Sequence, residues 1–87
     1  MTLSFPNHSR SFDCEQRRVR FWAYDSAMEV PFFVEEGALL KLNPDCGRDE
    51  AGILATFDAN RDRIQGVADK VHARHRLGFH VLDAADF

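Results

Sequence analysis

Three histidines, His72, His75 and His80, fall close together near the end of the chain, and two of them at a spacing of three on a helix can share a metal ion. No third ligand follows at motif spacing. Lys70, Arg74 and Arg76 crowd the segment with charge that repels a cation, so the pattern predicts solvated histidines at a helix end, with no metal and no other cofactor. Cys14 and Cys46 stand in no CxxC pair and show no activating base, although Cys46 lies just ahead of a helix. Two free thiols in a reducing compartment are the expectation. Glu35-Glu36 and Asp49-Glu50 read as helix starts, where carboxylates suit the dipole, and not as acid–base pairs. The five glycines are scattered and make no phosphate loop. With no nucleophile–base or metal constellation, the chain is expected not to be an enzyme.

Two other sets of residues stand out. Asn60 and Arg61 fall on an otherwise apolar helical stripe between Phe57 and Ile64. An arginine there either grips an anionic ligand or lays its stem on the core and pairs its head with a carboxylate, for which Asp25, Glu29 and Asp58 are available. Asp58 is expected to lie too close in sequence to face it well. The second set comes from alternation in strands. If Ala23 pairs with Met28, Phe21 with Val30, Val19 with Phe32, and Phe12 with Val19, one face is wholly apolar. The opposite face carries Arg18, Arg20, Trp22, Tyr24, Glu29 and Phe33 and forms the candidate binding surface. Phe5 of the N-terminal arm, a partner protein or second copy, or stacked nucleic-acid bases are the covers such a face invites.

The elements that place these residues follow from local pattern. Ser11–Cys14, Arg18–Tyr24 and Ala27–Val34 read as an antiparallel meander, with Asp13 opposite Arg18. Pro31 lacks an N–H and predicts an edge or a bulge. Glu35–Leu42 reads as a short helix. Ile53, Leu54, Phe57, Ile64, Val67, Ala68 and Val71 keep helical spacing and predict one long helix from Asp49 to about Arg76. Gly78 stops it, and Phe79–Leu82 reads as a last strand. The fold class expected is α+β in two layers: an antiparallel sheet of about four strands, meander plus C-terminal strand, packed on one long helix with one short helix.

Length and charge narrow the function classes. The 87 residues suffice for a single domain with residues 1–10 as an arm. The composition, 45% hydrophobic and 29% charged, excludes a disordered chain. A net charge of −3 argues against nucleic acid and anionic membranes as general partners. No apolar run approaches the ~20 residues that span a bilayer. Met1-Thr2-Leu3-Ser4-Phe5-Pro6 has no basic start and no apolar core, so no signal peptide is read and a cytoplasmic protein is expected.

Phe5-Pro6-Asn7, Arg10-Ser11-Phe12-Asp13, Val19-Arg20-Phe21-Trp22-Ala23-Tyr24-Asp25 and Phe32-Phe33-Val34-Glu35 together resemble one bacterial family, the domain-of-unknown-function family numbered fourteen-eighty-eight. Phe57-Asp58, Asn60-Arg61, Arg63-Ile64 and Asp86-Phe87 fit as well. The resemblance implies a small stand-alone α+β domain and brings no catalytic residues with it. It also implies two departures: Ala23 where the family tends to have glycine, and His72 where it tends to have an aromatic, which exchanges an apolar anchor for a titratable one. The reading reached is a non-catalytic protein-interaction or accessory domain, with homodimerisation as one form. The alternative is a nucleic-acid-associated regulator using the same face.

Overall fold

The hairpin at the centre of the molecule is set by its turn. In the computed structural model, which describes residues 3–5, 10–76 and 78–87, β2 (Arg18–Asp25) and β3 (Met28–Glu35) are joined by only Ser26 and Ala27. Ser26 takes φ 58°, the positive angle that lets a two-residue turn follow the twist of its strands. The register is therefore Asp25 to Met28, Ala23 to Val30, Phe21 to Phe32 and Val19 to Val34. This is two residues tighter than the pairing expected from the pattern. A slip of two preserves the face of every side chain, whereas a slip of one would invert them all.

Before this hairpin comes β1 (Ser11–Asp13), which pairs Phe12 with Val19 and Asp13 with Arg18, as the sequence predicts. Its turn is closed by the Asp13 carboxylate, which accepts from Glu15 N and Gln16 N at 3.1 and 3.2 Å. After the hairpin come α1 (Glu36–Leu42), α2 (Glu50–Ala59), α3 (Arg61–Arg74), β4 (His80–Leu82) and a closing 3-10 turn at Ala84–Asp86. The sheet order is β1-β2-β3-β4.

Two expectations are corrected here. The last strand runs parallel to β3, not antiparallel, so the sheet is mixed. Three helices separate β3 from β4, and a crossover of that kind returns the chain in the parallel sense. The predicted long helix is also two helices, broken at Asn60 (φ −115°, ψ 18°). Asn60 N donates to Thr56 O and Phe57 O, and its side-chain amide donates to Thr56 O at 2.9 Å. An asparagine that satisfies the carbonyls of the turn before it competes with continued helix. Pro31 sits where β3 is paired only by β2, because the pairing with β4 begins at Phe32, opposite His80.

All three helices lie against one face of the sheet. Val19, Phe21, Ala23, Val30, Phe32 and Val34 meet Leu39, Ile53, Phe57, Ile64, Ala68 and Leu82, all buried. The Phe21 ring packs 5.3 Å from Phe32 and 5.2 Å from Phe57, centroid to centroid. The stripe from Ile53 to Ala68 stays inward across the break at Asn60.

Candidate functional site

The second face of the sheet holds the residues that sequence alternation selects. Arg18, Arg20, Trp22 and Tyr24 project from β2, and Glu29, Pro31, Phe33 and Glu35 from β3. The parallel β4 adds Val81 beside Phe33, and Phe79 follows on its edge, 56% exposed and edge-on to Phe33 at 6.5 Å. The guanidinium of Arg18 lies 4.0 Å from the centroid of Phe33, and that of Arg20 lies 5.5 Å from Trp22. Cation–π stacking of this kind holds the arginines flat on the surface. Arg18 Nε also reaches Asp13 Oδ2 at 3.6 Å, beyond hydrogen-bond length, and is buried without a hydrogen bond.

The described residues of the N-terminal arm, Leu3 to Phe5 and Arg10, do not cover this face. Ser4 pairs with Tyr24 through backbone bonds of 2.9 and 2.8 Å, which extends the β1 edge of the sheet. Leu3 and Phe5 thereby turn to the core side. Leu3 is buried, and Phe5 stacks on Phe21 at 6.4 Å. Phe5 packs onto the domain, as expected, but as cover for Trp22, Tyr24 and Phe33 it is overturned. The rest of the arm, residues 1, 2 and 6–9, lies outside the described residues.

Asn60 and Arg61 stand on either side of the helix boundary and make different contacts. Asn60 makes the helix break. Arg61, its side chain 15% exposed, lies 5.0 Å over the Phe57 ring and donates to Asp58 Oδ1 at 3.0 Å. Asp58 is thus a partner that sequence distance seemed to disfavour, because the break at Asn60 redirects the first residue of α3. Arg10 grips the same carboxylate in a fork at 3.0 and 2.8 Å. The hydrogen bonds from Arg10, and after them those from Arg61, hold Asp58 below the usual carboxylate range.

The histidines depart furthest from expectation. His75 is exposed, but His72 and His80 are buried, at 5% and 4%. His72 Nδ1 and His80 Nε2 are 2.9 Å apart, and His72 Nε2 is 2.9 Å from Asp25 Oδ2. The His80 ring stacks on Phe32 at 5.1 Å. Sequence reasoning read these as solvated, yet a signal existed. His72 follows Ala68 by four and Ile64 by eight on the inward stripe, and His80 alternates with exposed Val81 and buried Leu82. The bond from His72 lowers Asp25, and burial, followed by the charges of His72 and His75, lowers His80.

An Asp–His couple is the orienting half of a general base. Here its second nitrogen meets another imidazole against a core phenylalanine, not a cleft. Two surface hollows of about 370 and 300 Å³ lie elsewhere, one along Asp58–Arg63 and one between α3 and Ala85-Asp86. Among the described residues, no group of three His, Cys, Asp or Glu side chains is placed to hold a metal ion. Cys14 is exposed and Cys46 buried, both free thiols; Cys46 Sγ receives the Thr56 hydroxyl at 3.1 Å. No helix of the described residues is long and apolar enough to cross a membrane.

A mixed four-strand sheet with helices on one side and an aromatic–basic face on the other defines a small α+β domain. The sequence profile of the family described as "Protein of unknown function (DUF1488)" matches residues 3–81, and the chain belongs to that family. No curated protein and no solved structure matches it.

Proposed function

We propose that the chain is a non-catalytic interaction domain whose outer sheet face binds a second copy of itself, working in a reducing cytoplasm that suits its two free thiols. The observation that carries this reading is the bare face itself. Trp22, Tyr24, Phe33, Phe79 and Val81 lie on one side of the sheet with no described element over them, and aromatics with arginine are what interface centres favour.

The register makes that face complementary to itself. A two-fold axis in the interface, parallel to the strands and between β2 and β3, lays β2 of one copy over β3 of the other. Arg18 then meets Glu35, Arg20 meets Phe33, Trp22 meets Pro31 and Tyr24 meets Glu29 of the second copy. Each pair is an attraction: an ion pair, a cation–π contact, an apolar contact, and a hydroxyl on a carboxylate. A nucleic-acid strand fits the face less well, because Asp13, Glu29 and Glu35 share it with the two arginines.

Light scattering on the eluting protein tests the reading. The expected result is a dimer that Trp22→Ala or Arg20→Glu converts to monomer without loss of fold. A wild-type chain that stays monomeric at hundreds of micromolar would overturn it. So would a salt-sensitive shift of a single-stranded oligonucleotide at low ionic strength, which would hand the face to the nucleic-acid alternative.

A further inference from the structure

We propose that Asp25, His72 and His80 form an acid-operated latch that holds β4 to α3 and to the β2–β3 turn. The three side chains come from three separate elements and meet in a single row, the two rings buried and Asp25 half-buried, with both links at 2.9 Å. The row counts protons. With Asp25 ionised and both rings neutral, His72 Nε2–H donates to Asp25, and His80 Nε2–H donates to His72 Nδ1. One added proton is accommodated: His72 carries both hydrogens, its Nδ1–H donates to His80 Nε2, and the hydrogen of His80 moves to Nδ1. A second added proton has no place on the two rings. It sets two N–H groups against each other across 2.9 Å and two cations side by side at a ring separation of 5.1 Å, away from water.

The surroundings do not relieve that conflict. Arg76 Nη1 is 3.9 Å from Asp25 Oδ2, and His75 adds positive charge near His80. Asp69, one turn before His72 on α3, already accepts from Leu3 N at 2.9 Å. From β3 the group packed on His80 is the Phe32 ring, which accepts no charge. The burial of His80, with the charges of His72 and His75, depresses its affinity for a proton, in the sense the geometry requires.

The element released is β4, because little besides the row holds it. It is three residues long, at the sheet edge, and only His80 and Leu82 point inward. Elements with so few buried contacts open locally before the rest of a fold. The latch stands whatever binds the outer face.

The test is a titration of the whole chain from pH 8 to 4, following ring-nitrogen shifts and amide exchange by NMR. One ring of the pair is expected to titrate while the other stays neutral well below the ordinary histidine range. Exchange at Val81 and Leu82, corrected for intrinsic pH dependence, should rise about tenfold or more relative to β2. His80→Phe keeps the stack on Phe32 and removes the second nitrogen, and should abolish the selective rise. Two rings that titrate independently in the ordinary range, with β4 exchange unmoved, would overturn the latch. That wild-type result decides the matter even if His80→Phe fails to fold.

Discussion

The two faces of one sheet are built from the same strands, yet they use their side chains in opposite ways. On the core face, Phe21, Phe32 and Phe57 pack ring to ring with no access to water. On the outer face, Trp22 and Phe33 are half-covered by the arginines that lie on them. Burial of a large aromatic in a close-packed interior removes both its hydration and its freedom. An aromatic roofed by a guanidinium stays available, because the roof can be exchanged for another chain. On the proposed reading, the aromatic content of this small domain is divided between stability and recognition.

That division can be broken by experiment. Phe21→Ala or Phe57→Ala should cost about 3–5 kcal/mol in denaturant melts. The same truncation at Trp22 should leave the monomer within about 1 kcal/mol of wild type. A Trp22→Ala loss as large as that of Phe21→Ala would show the outer face to be a second core.

Acid should separate the faces next. His80 binds protons less readily folded than unfolded, so its contribution is whole above the unfolded histidine value of about 6.5 and is lost as pH falls from there through its lower folded value. Asp25 is lowered too, so its contribution persists further and is lost only as pH falls through its folded value, below the unfolded carboxylate value of about 3.9. The melting temperature should therefore drop in two stages on acidification. Asp25→Asn should remove the second stage, and a wild-type curve flat from pH 7 to 4 would contradict the sign for His80.

Arg61→Ala probes the margin of the core face. It strips a stem from Phe57 and one of two arginines from Asp58, while Arg10 remains. A lowered melting temperature is expected, on the order of 0.5–1 kcal/mol in stability. An unchanged melting curve would mean that the guanidinium contributes nothing where it lies. The smallest stability effect belongs to Arg20→Glu, within about 0.5 kcal/mol as a monomer. Its signature is the elution volume, and retained dimer in that variant would move the interface off β2.

Much of this was legible from pattern. Period-2 alternation named the outer residues Arg18, Arg20, Trp22, Tyr24 and Phe33 correctly, even though the hairpin register was off by two, because an even slip keeps every face. Helical spacing named Ile53, Phe57, Ile64 and Ala68 as core across the break at Asn60. The break itself was hidden, because one side-chain amide on Thr56 O leaves no trace in an apolar stripe. The histidine row was hidden for a different reason. Asp25 and His72 are 47 positions apart, and His80 joins them only because β4 lies beside β3.

The sequence by itself determined which side chains share a face, since faces follow from the chain's own 2.0 and 3.6 periodicities. It determined the family as well, through short segments in a fixed order. Only the tertiary structure decided what each face meets. The direction of β4, the inward course of Leu3 and Phe5, and the meeting of Asp25, His72 and His80 depend on strand order and helix crossover. Those are contacts between distant residues, set by how the whole core closes and not by any local preference.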